Sequence, residues 1–287
     1  MSHHLEELLQ RKKDLPEPLA GFLHSAIARL RADDRVVGVA VGGSFLSGSM
    51  DEYSDLDLVI AVEPARVDSI MADRHDIAAA LGPLLAAFTG EHVGEPRVLI
   101  CLFGPPLIHV DLKFMSLTDV ADRVETPVVL WQRGTCMSTA MQGTEAECPA
   151  PDLQWIEDRF WVWVHYGAGK IGRGEILEAH DLLAFLRARV LGPLALADSD
   201  ARPCGVRKLE SEAPRYLPEL RNTIAAYDQG SCLEALETAA NLYRKLRAGP
   251  TINRIQRRSD AERAVMEYLD TIRAQIASRD TTGAAAR

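Results

Sequence analysis

The chain has 287 residues, 47% hydrophobic and 25% charged, with a formal charge of −9 at neutral pH. This is the balance of a globular protein with room for two modest cores, and it excludes a disordered or low-complexity chain. No uninterrupted apolar run approaches the roughly 18 residues of a membrane span. Residues Met1 to Leu9 lack the basic-then-apolar layout of a signal peptide, so a cytoplasmic protein is expected. The five cysteines, Cys101, Cys136, Cys148, Cys204 and Cys232, form no Cys-x-x-Cys pair, which argues for reduced thiols and against a disulfide framework or zinc site. The histidines show no metal-binding spacing, and His3-His4 is expected at a mobile terminus.

Apolar positions at helical spacing (Leu19, Phe22, Leu23, Ile27, Leu30) predict a helix over 17–32, closed by Asp33-Asp34. Val36 to Val41 reads as the first strand and runs into Gly42-Gly43-Ser44, with a short helix expected after Ser44. Asp55 to Val62 reads as the second strand. Strand side chains repeat with period two, so Asp55 and Asp57 point to one side. Val67 to Phe88 reads as a helix with Ile70, Met71, Ile77, Leu81, Leu84, Leu85 and Phe88 on its apolar face, interrupted at Gly82-Pro83. Val98 to Phe103 and Ile108 to Met115 read as strands joined in a hairpin at Gly104-Pro105-Pro106, and Val128 to Trp131 as a further short strand. The polar segment Gln142 to Asp152, with two prolines, reads as a linker. Everything after it reads as helix: Leu153 to Tyr166, Glu175 to Leu196, Pro218 to Tyr227, and two runs opened by the capping boxes Ser231…Glu234 and Ser259…Glu262, reaching about Arg247 and Ala277. Thr281 to Arg287 are expected to fray. The expected architecture is α/β (α+β): a mixed-sheet catalytic domain over residues 1–145, then an antiparallel α-helical bundle over 152–287.

Two carboxylates a few ångströms apart repel each other, a juxtaposition made tolerable by a divalent cation between them. The Gly-Gly-Ser turn offers bare backbone N–H groups to phosphate oxygens. Together they are equipment for metal-assisted chemistry on a nucleoside triphosphate. Charge is unevenly spread: residues 1–150 hold 12 Lys/Arg against 22 Asp/Glu, and residues 151–287 hold 20 against 19. An acidic half does not attract a polynucleotide, which argues against a nucleic-acid partner; it suits a small cationic acceptor. In the helical half, four glycines between Gly167 and Gly174 frame Lys170 and Arg173. This reads either as a flexible basic turn that meets a phosphate tail, Arg173 forking onto two oxygens, or as a plain helix–helix turn. Arg207-Lys208 is a second basic candidate. Trp155, Phe160, Trp161 and Trp163 read mainly as core, His165 and His180 as structural, and Lys113 as a contact to phosphate or a partner of Asp111.

The segment from Val36 to Met115 resembles the signature of the DNA polymerase β-like nucleotidyltransferase superfamily. Gly43 and Ser44 match its turn. Asp55 and Asp57, separated from Ser44 by ten residues, match its acid pair, and Asp111, in the alternating run Leu107 to Phe114, matches its third acid. Within that superfamily the segment is similar to small-molecule adenylyltransferases, such as those that modify aminoglycosides; the remainder resembles them only in being helical and of suitable length. The resemblance implies transfer of a nucleoside monophosphate, AMP from ATP by superfamily habit or from another triphosphate, to a hydroxyl of a small acceptor, with release of pyrophosphate. It implies magnesium, as two ions, held by Asp55, Asp57 and Asp111, with phosphates at Gly42, Gly43 and Ser44 and Asp111 as first choice of base. Several relatives place a glutamate on the strand before the third acid, whereas Val98 to Phe103 here has no acid. Glu91 and Glu95 lie just before that strand, in an expected loop, and Glu157 and Glu175 of the helical half are the outside candidates for the base. A protein or tRNA acceptor, or a nucleotide-binding protein without catalysis, are the alternatives.

Overall fold

The computed structural model of the protein describes residues 15–248 and 255–285, with side chains through Arg279. The His3-His4 pair and the stretch Met1 to Leu9 lie outside the described residues, as do Ala286 and Arg287. The chain divides into two compact units between Cys148 and Pro149.

The first unit contains α1 (Glu17–Leu30), β1 (Val36–Val41), α2 (Ser44–Ser47), β2 (Leu56–Val62), α3 (Val67–Leu81), β3 (Leu84–Gly90), β4 (Glu95–Phe103), β5 (Ile108–Ser116), β6 (Val128–Gln132) and α4 (Cys136–Met141). The strands form one six-stranded mixed sheet in the order β3-β4-β5-β2-β1-β6. Its β2–β5 pair is parallel and the other pairs are antiparallel. Alternation decides the two faces. Leu56, Leu58 and Ile60 of β2 and Val110, Leu112 and Phe114 of β5 are buried on one face, where α1 and α3 pack. The intervening residues Asp57, Val59, Asp111 and Lys113 fall on the other face, as a period of two requires. A smaller cluster of Ala40, Ala61, Val120 and Met137 forms there.

The helix expected over 67–88 ends at Leu81. Gly82 is extended, with φ 176°, and Pro83 has no N–H for an intrahelical bond. Leu84, Leu85 and Phe88 therefore belong to the edge strand β3, where Leu85 and Phe88 are exposed. A short apolar run carries no period that separates helix from strand. All five cysteines are unbonded, and burial pushes the Cys101 thiol up to about 12, so it is inert as a nucleophile at neutral pH.

The second unit contains α5 (Leu153–Gly172), α6 (Ile176–Leu186), a π-helical stretch Arg187–Leu191, α7 (Gly192–Ala197), α8 (Leu209–Glu212), α9 (Leu217–Asn222), α10 (Gln229–Leu246) and α11 (Ser259–Ala285). Gly167 through Gly172 lie inside α5, so the flexible turn expected there shrinks to Arg173–Glu175. The cap of α10 is Asp228, whose carboxylate accepts from Ser231 N–H at 2.8 Å. Ser231 instead accepts from Ala226 N–H at 2.8 Å, because a good cap three residues upstream starts the helix earlier. Glu262 does not close a capping box: it pairs with Arg244 at 2.6 Å and with Arg247. Thr281 to Ala285, expected to fray, continue α11. No helix among the described residues is long and apolar enough to cross a membrane.

One buried carboxylate pins three of these helices. Glu157 on α5 is fully buried. It accepts from Tyr243 Oη at 2.6 Å, Arg247 Nη1 at 2.7 Å and Arg258 N–H at 2.9 Å. Burial alone raises its pKa, but these donors outweigh burial and hold it below its ordinary value. A carboxylate whose folded pKa is depressed stabilises the fold above its unfolded pKa, and that stability is lost as the pH falls through the folded value. Arg247→Met should therefore cost about 3–5 kcal/mol at neutral pH, since it strands a buried charge. Glu157→Gln should flatten the loss of stability seen below about pH 4.5. Thermal unfolding across pH 3–7 checks both; an unchanged acid limb in Glu157→Gln would count against the pin.

Candidate active site

β1 delivers the chain into the glycine turn, and the turn closes on β2. Gly42 N–H donates to Asp57 O at 2.9 Å. Gly43 follows in the left-handed region, with φ 58°. A Cβ built at Gly43 would sit 1.8 Å from Asp57 Oδ2. Glycine is thus required twice, by the backbone angle and by a carboxylate lying on its Cα. The short helix α2 begins at Ser44, whose buried hydroxyl oxygen has no hydrogen-bond partner among the described residues.

Asp57 and Asp111 are register partners in the parallel β2–β5 pair and share the face away from the main core. Asp55 precedes the first residue of β2. Asp57 and Asp111 line one cavity together with Gly42 and Lys113; Asp55 is not part of that lining. Among the described residues, no three His, Cys, Asp or Glu side chains are gathered tightly enough to enclose a metal ion. The structure therefore brings together Asp57, Asp111 and the turn, with Asp55 at the margin. The chemistry of the donors still fits magnesium, a hard cation that takes one or two carboxylates plus substrate phosphates. The orphaned Ser44 hydroxyl beside Gly43 fits a phosphate oxygen as its missing partner.

The surroundings assign the other charged groups. His109 Nε2 lies 3.1 Å from Asp111 Oδ1. Lys113 pairs with Glu95 at 2.8 Å. Glu95, expected in a loop, opens β4 and is also bonded by Arg97 at 2.6 Å. Arg97 first, then Lys113, outweigh burial and hold the Glu95 pKa at about 2, so it is an ionised counter-ion. On β4 the register partners of Asp111 and Lys113 are Ile100 and Val98, so the strand beside the third acid presents apolar side chains at those positions. The outside candidates for base are engaged elsewhere. Glu157 is the core pin of the helical unit, and Glu175 pairs with Lys170 at 2.7 Å and Arg173 at 2.6 Å. Lys170 is also held by Glu178 at 2.7 Å. Any contact of Lys170 or Arg173 with phosphate would require exchange of these carboxylates.

Sequence reasoning missed Glu125. It lies in loop 117–127 between β5 and β6, and its Oε1 accepts from Gly43 N–H at 2.8 Å. Asp122 lines the same cavity from the same loop. No spacing rule marks an acid in an irregular loop; only the fold brings it to the turn.

Residues 24–87, which include the glycine turn and the acid pair, match the family model described as nucleotidyltransferase domain. The match places a nucleotidyltransferase domain within the first unit. The match supports an enzyme that transfers nucleotidyl groups. No curated protein matches the chain. Among solved structures it is similar to an aminoglycoside 6-adenyltransferase from Bacillus subtilis, at 17% identity over 87% of this chain and 96% of that one, with a TM-score of 0.38. It is also similar to a nucleotidyltransferase-like protein from Exiguobacterium sibiricum, at 12% identity over 76% and 72%, with a TM-score of 0.37.

For this nucleotidyltransferase domain, Gly43→Ala should both unfold earlier and lose turnover. The left-handed backbone costs an L-residue about 1–2 kcal/mol, and the methyl group displaces Asp57, a misplacement worth about 100-fold in rate. Gly94→Ala is the control: Gly94 has φ 77° but nothing within 4 Å of its Cβ position. It should lose stability and keep its rate. Calorimetry and turnover of the two variants check this; equal rates would separate the turn from the chemistry.

Proposed function

We propose that the protein moves a nucleoside monophosphate, AMP from ATP, to a hydroxyl of a small cationic acceptor of the aminoglycoside type, with magnesium. The observation that carries this reading is the pairing of Asp57 with Asp111 in parallel register beside the Gly43 turn. Asp57 and Asp111, with Asp55 at the margin, would hold magnesium, as one ion or two. When bound there it supplies positive charge against the phosphates. Gly43 N–H and the Ser44 hydroxyl bind oxygens of the β- and γ-phosphates. Asp111 takes the proton of the acceptor hydroxyl, and His109, at 3.1 Å, orients it. The acceptor oxygen bonds to the α-phosphorus, the bond from that phosphorus to the β-bridging oxygen breaks, and pyrophosphate leaves.

The acceptor class rests on charge. Asp122 and Glu125 add to Asp57 and Asp111 along the cavity, while Lys113 is held by Glu95. An acidic wall of this kind favours an aminosugar and disfavours the phosphate backbone of tRNA. Mass spectrometry of an aminoglycoside panel, incubated with the enzyme, magnesium and each of the four triphosphates, tests donor and acceptor together. A mass gain of one nucleoside monophosphate on a panel member is expected with ATP. A gain on protein or tRNA alone would sink the small-acceptor reading. Asp111→Asn should lower turnover by about 10²–10⁴-fold through loss of the base, with a melting temperature near that of the wild type; a rate within tenfold of wild type would remove Asp111 from that role.

A further inference from the structure

The cradle that this reading gives to phosphate is engaged by a carboxylate of the protein itself. Glu125 Oε1 takes the Gly43 N–H at 2.8 Å. The same oxygen lies 2.5 Å from where a Cβ on Gly42 would be, so the carboxylate points end-on at the turn. We propose that Glu125 is a stand-in anion for the phosphate tail of the donor, and that the triphosphate binds by displacing it and moving loop 117–127 outward. The inference rests on the nucleotidyl-transfer reading of this site.

Three constraints lead to it. A backbone N–H has one hydrogen, and a phosphate oxygen cannot take that hydrogen while a carboxylate holds it. Two anions against one glycine also repel each other. The third constraint is space: the cavity measures about 150 Å³, below the roughly 300–1,000 Å³ of small-molecule sites. With loop 117–127 in this position the cavity encloses only part of a nucleotide.

The loop is built to hold Glu125 in place and to release it. Arg123 clamps the loop to the segment after α4, donating to Thr144 O at 2.6 Å and Thr144 Oγ1 at 2.7 Å, and braces the loop internally at Ala121 O, 3.0 Å away. These acceptors are neutral oxygens, bonds that water can replace at modest cost. The apparent affinity for the donor is then reduced by the fraction of molecules in which the cradle is closed.

The test is calorimetric titration of wild type, Glu125→Ala, Glu125→Gln and Asp122→Asn with magnesium-ATP. Asp122→Asn removes a charge from the same cavity without touching Gly43. Glu125→Ala should bind about tenfold more tightly, the scale of one hydrogen bond to a charged group. Glu125→Gln should show part of that gain and Asp122→Asn little of it. The Gly43 amide resonance should shift on nucleotide addition in the wild type and be already shifted in Glu125→Ala. If wild type binds and Glu125→Ala binds no better, the stand-in role falls and nucleotidyl transfer stands. Equal tightening by Asp122→Asn would also overturn it, as an effect of bulk charge. Failure of wild type and every variant to bind would overturn both readings. If the alanine variant does not fold, Glu125→Gln carries the same comparison.

Discussion

The parallel pairing of β2 with β5 is the constraint on which the site depends. Parallel neighbours need a crossover connection, here supplied by α3, β3 and β4 between the two strands. Because the strands run the same way in register, residues 57 and 111 emerge side by side from one face. The register is enforced from the other face. Leu56, Leu58 and Ile60 on β2, and Val110, Leu112 and Phe114 on β5, are all buried. A slip of one residue would drive Asp111 into that core and expose Val110 and Leu112. The hydrophobic core thus fixes the distance between the two acids, and the repulsion between them is sustained by burial on the opposite side of the sheet.

Much of this was legible in the chain, for identifiable reasons. β1 and β2 were readable because a strongly apolar run abuts a glycine turn or an acid pair; alternation holds for Asp57, whereas Asp55, expected to share its direction, lies before the first residue of β2 and outside the cavity lining. Asp111 was legible through its alternating neighbours, but its partnership with Asp57 was not, since no local pattern states which strands pair. β3 was misread as helix because Leu84, Leu85 and Phe88 also fit a helical period, and the Gly82-Pro83 break alone did not say what followed. Lys170 and Arg173 looked like free cations, since the acidic partners Glu175 and Glu178 reach them only once α5 and α6 are folded. Glu125 was invisible because its position depends on a loop with no periodicity.

Charge is handled differently in the two units. The helical unit buries the carboxylate of Glu157 and satisfies it with Arg247, Tyr243 and the Arg258 amide. There the charge serves packing. The first unit keeps Asp57, Asp111 and Glu125 half-buried along a cavity, beside a left-handed glycine and a serine hydroxyl that has no hydrogen-bond partner among the described residues. Groups arranged at that energetic disadvantage are expected where a ligand completes them. The strained turn and the Ser44 hydroxyl mark a site for that reason, whereas Glu157 belongs to the core.

The most direct test of the paired-acid account is a double-mutant cycle on kcat/KM for nucleotide transfer, using Asp57→Asn, Asp111→Asn and the double variant. Residues that act as one unit give losses that do not add. The account predicts that the double variant is scarcely slower than the worse single variant. Losses that simply add in free energy would mean that Asp57 and Asp111 act independently, and the register-based explanation of the site would fail.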